Sequence, residues 1–66
     1  MEASNIMYLI REARKNKHDV VLITIQSEKI KLDVTEKIEI VDRKTLLYGD
    51  TILINVECIS IAKIMY

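Results

Sequence analysis

The chain has 66 residues, half of them hydrophobic, with ten basic and ten acidic side chains and no formal net charge. That length holds one small domain with a thin core, since a chain this short buries only roughly 60 % of the surface its unfolded form exposes. A single cysteine, Cys58, and a single histidine, His18, exclude an intramolecular disulfide and a Cys/His zinc cage, and net neutrality excludes a global basic field for nucleic acid or membrane.

Self-association is the remedy that remains for so small a core. The charge is unevenly spread: residues 1–18 hold Arg11, Arg14, Lys15 and Lys17 against Glu2 and Glu12, while the remainder holds six bases against eight acids. No apolar run approaches the ~18–20 residues needed to span a bilayer. The first residues lack the basic-then-apolar order of a signal peptide, and a lone cysteine suits a reducing compartment. A cytoplasmic protein with no membrane contact is expected.

In chain order, residues 4–17 read as a helix. Ile6, Leu9, Ile10 and Ala13 have the i, i+3, i+4, i+7 spacing of one apolar face. Ser4 or Asn5 is placed to cap its start, and Arg14, Lys15 and Lys17 fill its last turn, where the helix dipole favours positive charge. After Asp19 the chain turns to β-branched residues, which suit a pleated surface. Residues 20–26 form a first strand, with Val21, Ile23 and Ile25 on one face and Leu22 on the other. Ser27-Glu28-Lys29 is a polar turn. Ile30, Leu32 and Val34, then Ile38 and Ile40, alternate with polar residues without loss of parity, which predicts one long bent strand over 30–41. A strand at 45–48 leads to Gly49-Asp50, a signal for a tight primed hairpin turn. Ile52, Ile54 and Val56 belong to a strand over 51–56. The parity of Ile59 and Ile61 then slips by one, so a kink or 3₁₀ turn is expected at Asn55–Cys58, followed by a last strand over 58–64.

A helix followed by five short antiparallel strands predicts a mainly β domain, curled into a small, strongly bent barrel. Several stretches resemble the Sm-like fold, and within it the bacterial Sm-like RNA chaperone family. Ala13-Arg14-Lys15-Asn16-Lys17 looks like that family's helix end, where a basic rim lies. Ile30-Lys31-Leu32-Asp33-Val34 falls at its bent second strand, and Val41 to Leu47 at its Asp-containing turn and following strand. Residues 54–60 occupy its second motif. The resemblance implies a ring that binds RNA on the rim. The chain departs from the pattern at the two family glycines, where Ser27 and Leu32 stand. It departs again at the nucleotide-binding turn, where Asn55, Val56 and Glu57 replace Tyr, Lys and His, and at Ile6, where a polar uridine contact is expected. SH3-like barrels share the strand pattern.

No catalytic constellation is present. Cys58 and His18 lie far apart in sequence, and the carboxylate pairs Glu28/Asp33 and Glu36/Glu39 are what solvated strand faces produce routinely. Without a Gly-rich loop there is no phosphate cradle, and no cofactor or metal is expected. Cys58 is expected to pack as a small apolar residue, and His18 to lie in a solvated loop.

Two groups of candidate binding residues remain. Arg11, Arg14, Lys15 and Lys17 form a basic cluster that could hold an anion or RNA. Ile59, Ile61 and Ile64 lie on a last strand that is apolar at almost every position and has only Lys63 to block its edge. The expected function is therefore non-enzymatic: a self-assembling homo-oligomer that binds another macromolecule, foremost a protein, in a regulatory or inhibitory role; a phage or mobile-element inhibitor of a host enzyme is a third, separate reading. An RNA-binding Sm-like ring is the alternative.

Overall fold

The computed structural model describes residues 1–66. Helix α1 (Ala3–Lys15) starts one residue before Ser4, with Glu2 at the cap position and no side-chain cap. The Ala3 N–H instead donates to the Arg43 carbonyl at 2.9 Å, so a distant turn does the work expected of Ser4 or Asn5. The helix ends two residues before Lys17. His18 N–H donates to the Ala13 carbonyl (3.0 Å) and Lys17 N–H to that of Arg14 (3.3 Å). These paired bonds are the Schellman closure, and Lys17 takes the left-handed conformation it requires, with φ 56°.

Six strands follow in two antiparallel sheets. Strand β1 (Asp19–Thr24) lies between β2 (Lys29–Leu32) and β6 (Ile59–Met65), while β4 (Thr45–Tyr48) lies between β3 (Ile38–Asp42) and β5 (Ile52–Asn55). The expected count of five strands is corrected at residues 30–41, where two strands in different sheets replace one bent strand. Between them the Asp33 carboxylate accepts hydrogen bonds from the Thr35 N–H (3.0 Å) and hydroxyl (2.6 Å), and Glu36 N–H donates to the Asp33 carbonyl. This turn uses locally the backbone groups that a continuous strand would have given to a ladder. No ladder joins the two sheets, so they do not make a closed barrel. Parity nevertheless survives the turn: Leu32, Val34 and Ile38 are all buried.

The core is shared by α1 and the inner faces of both sheets. Ala3, Ile6, Met7, Ile10 and Ala13 of the helix pack with Val20, Leu22, Leu32 and Val34, and with Ile38, Leu46, Ile54, Val56 and Ile59. A Cα radius of gyration of 10.6 Å equals the ~11 Å of a compact chain this long, so the sheets are not splayed. Strand β1 has two apolar faces, of which one enters the core. Its core residues are Val20 and Leu22, and Val21, Ile23 and Ile25 face outward. Alternation alone cannot choose between two apolar faces of one strand, and the chain offers both.

The parity slip is absorbed twice. A 3₁₀ turn covers Val56–Cys58, with the Asn55 side chain accepting from Glu57 N–H at 3.0 Å. A bulge at Ser60 then moves the β1–β6 register from Ile23 opposite Ile61 to Thr24 opposite Ile59, so Ile59 points inward and Ile61 outward. The β4–β5 hairpin is longer than expected. Gly49, Asp50 and Thr51 separate the paired Tyr48 and Ile52, and only Gly49 has positive φ, at 64°. A two-residue primed turn of type I′ would need it at both central positions.

Candidate functional site

The basic cluster of α1 does not present four free charges. Arg14 Nε donates to the Val34 carbonyl at 2.7 Å and Nη2 to that of Glu36 at 3.0 Å. This side chain therefore pins the helix to the turn between the two sheets. The planar fork of a guanidinium suits two converging carbonyls. Lys15 pairs with Glu12 at 3.2 Å, an exposed pair of little energetic consequence. Lys17 is committed by its backbone to closing the helix. Only Arg11 and Lys17 keep side chains without a hydrogen bond or ion pair. No local pattern marks Arg14 apart from its neighbours, because its partners lie twenty and more residues away in sequence.

The apolar set of the last strand also divides. Ile59 is in the core, Ile64 is half-buried against it, and Ile61 alone is well exposed. What remains is the strand's backbone. Strand β6 is the edge of its sheet and β5 an edge of the other. The four sheet edges are not alike. Strand β2 carries Lys29 and Lys31, and β3 carries Glu39 and Asp42, charges that discourage pairing with another chain. Strand β5 carries none, and β6 only Lys63. Ile52 and Leu53 of β5 are 50 % and 66 % exposed. Beside β5 an apolar cleft of about 460 Å³ opens between the two sheets, lined by Ile30, Tyr48, Ile52, Leu53, Ile54 and Ile59. Cys58 lies at this cleft and is exposed, contrary to its expected place in the core, because the 3₁₀ turn points Val56 inward in its stead.

Two of the three titratable groups with altered behaviour, Asp33 and Asp42, serve turns. Hydrogen bonds from Thr35, hydroxyl first and N–H second, hold the Asp33 carboxyl below its ordinary range. The Lys44 N–H, with help from Thr45, does the same for Asp42. Glu39, 3.1 Å from the Lys37 ammonium, raises that lysine. No three His, Cys, Asp or Glu side chains converge as a metal site would require. His18 is half-buried, with its ring edge-on to that of Tyr66 at 4.9 Å, rather than free in solvent. The Tyr48 hydroxyl accepts from Asp33 N–H at 2.9 Å and so ties the two sheets together. Tyr8 and Tyr66 are exposed.

No helix is long and apolar enough to cross a membrane. No protein-family model, no curated protein and no solved structure matches the chain.

Proposed function

We propose that this chain is a non-enzymatic module that self-assembles through its strand edges and acts by binding another protein in a regulatory or inhibitory role. The observation that carries this reading is the contrast among the four sheet edges: two bear charges that resist pairing, and two, β5 and β6, are nearly bare. The thin core supports it too, with 15 of 66 residues buried, since added strands would cover Ile52, Leu53 and Ile61. The two sheets around one core, with a helix across them, are consistent with a small barrel of the Sm-like or SH3-like kind left open at its seam. Light scattering at micromolar concentration tests assembly: the expected result is an oligomer, which L53D converts to monomer with its circular dichroism unchanged where β5 forms the contact. A wild-type monomer would overturn it. Capture of partners from a host lysate, by wild type and by L53D, then tests the binding role.

The alternative, an Sm-like RNA ring, draws support from the exposed ends of Arg11, Lys15 and Lys17 on one end of α1 and from the motif resemblance. Glu57 at the place of the nucleotide-binding turn opposes phosphate. Protein purified with no excess absorbance at 260 nm would count against RNA.

A further inference from the structure

The outward face of the β2–β1–β6 sheet has a composition that neither the helix cluster nor the bare edges use. The register places Val21 directly between Lys31 and Lys63, and Ile23 between Lys29 and Ile61. Residues opposite one another across a ladder project on the same side, so three lysines border a central apolar strip. Val21 is only 6 % exposed although it lies outside the core cluster, and it is paired across both ladders with lysines, whose long apolar stems commonly lie over such neighbours. Ile61 is 51 % exposed, and Ile25 at the end of the strip 69 %. Two acids stand near these lysines, Asp19 at 3.6 Å from Lys31 and Asp33, whose carboxylate also feels the Lys31 charge, which leaves a net charge of +1 with Lys29 and Lys63 free of ion pairs.

We propose that this face binds an amphipathic α-helix of another protein whose apolar stripe is flanked on both sides by Asp and Glu. The dimensions fit. Lys31 and Lys63 stand on strands two spacings apart, ~10 Å, which is the width of a helix with its side chains. A helix laid along β1 therefore sets its stripe over Val21, Ile23 and Ile61 and brings both flanks to lysines. The six residues of β1 span ~20 Å, the length of ~13 helical residues. A second copy's α1 is the wrong occupant, because its exposed side bears Arg11 and Lys15 and would be repelled. No aromatic side chain stands among the paired residues of this face to stack a base. The inference rests on the reading of the chain as a protein-binding module, but it uses the outward face of this sheet, which shares Ile61 and Lys63 with the β6 edge and no residue with the β5 edge.

The test uses the full chain and two labelled synthetic peptides of fourteen residues. Both carry leucines at helical spacing, one with glutamate on both flanks and the other with lysine. The acidic peptide is expected to bind, with amide shift changes in solution NMR confined to Val21, Ile23, Ile61 and Lys63. Its affinity should weaken as salt rises and fall at least tenfold in K31E/K63E. K31Q/K63Q, which does not set a second acid beside Asp19, should show a smaller loss and serves if the reversal fails to fold. L53D, which tests the edges, should leave peptide binding intact, so failure of assembly and failure of this inference are distinguishable. Equal affinity for the lysine-flanked peptide would overturn the proposal, as would shifts that map to the β5 cleft or to α1. Lysine-dependent binding to phosphatidylserine vesicles without binding of the acidic peptide would overturn it in favour of a lipid surface.

Discussion

Replacing Arg14 separates a structural arginine from a ligand-binding one. Its Nε–Val34 bond is 2.7 Å and partly buried, and its Nη2–Glu36 bond is 3.0 Å and exposed. A hydrogen bond from a charged donor contributes ~1.5–3 kcal/mol when sheltered. The exposed bond competes with water and is discounted to a few tenths. Removing the guanidinium also leaves the Val34 carbonyl without its partner, in a segment whose side chain is buried. R14L should therefore cost ~2 kcal/mol. A 66-residue domain unfolds with an entropy of ~0.14 kcal/mol/K, so the melting temperature should fall by ~14 °C. R14K, with one ammonium for two carbonyls, should lose about half as much. K15Q and K17Q should each stay within ~0.5 kcal/mol, since they lose only a screened pair or a dipole contact. Thermal denaturation by circular dichroism, with urea titration as a check on cooperativity, measures all four. An R14L melting temperature within 3 °C of wild type would refute the bracing role and return Arg14 to the free basic cluster.

Three further outcomes follow from backbone and charge. G49V places a β-branched residue at φ 64°, where no atom lies within 4 Å of the added Cβ; the loss of ~1–3 kcal/mol is wholly conformational, and an unchanged melting temperature would show that the turn is built differently. K17G relieves a left-handed lysine at the helix close and should stabilise by ~0.5–1 kcal/mol net of the greater freedom of unfolded glycine; a lower melting temperature would contradict the Schellman geometry. Asp33 and Asp42 have folded values below their ordinary 3.8, so the stability they supply is complete only above about pH 5 and drains as pH falls through the folded values. Urea titrations at pH 6 and pH 2.5 should show that loss for wild type and a smaller one for D33N/D42N. Lys37, raised above 10.5, behaves oppositely: its share is full at neutral pH and is lost only as pH rises through the folded value.

Period and β-branching made the helix and most strand positions legible, because each is a local property of the chain. What escaped was set by contacts distant in sequence. The face of β1 that enters the core depends on what covers it, and Val21, Ile23 and Ile25 are as apolar as Val20 and Leu22. The division of 30–41 depends on Asp33 folding back onto Thr35, which alternation cannot report. Ser27 is instructive in another way. It takes φ 66° without being glycine, within a turn where the Thr24 hydroxyl accepts from the Gln26 and Glu28 N–H groups. The missing glycine therefore did not mean a missing turn. At the candidate surfaces the sequence located β6 and the helix bases, yet Arg14 proved to be a brace, Ile59 core and Ile64 half-core. The lysine-bordered face of β1 was invisible without register, because Lys63 lies more than thirty residues from Lys29 and Lys31 in sequence.

On the proposed reading, the two bare edges constrain the form of assembly. Isologous pairing of β6 with β6 joins two copies about a two-fold axis and leaves both β5 edges, with Ile52 and Leu53, open to further pairing. Heterologous pairing of β5 with the β6 of a neighbour uses one bare edge of each kind per copy, so only a closed ring leaves none uncovered. It also sets Lys63 beside an edge with no charge of its own. The charges on β2 and β3 then act as stops that confine growth to this one contact. If pairing is heterologous, L53D at the β5 edge and an aspartate at Ile61 beside the β6 edge each break the same contact. Mixing the two single variants then restores one intact interface per pair and yields a heterodimer that stops growing. If pairing is isologous through β6, L53D leaves the dimer whole. The masses of the two variants, alone and mixed, therefore decide between the two symmetries: a dimeric L53D excludes the ring, and a dimer formed only on mixing requires heterologous pairing.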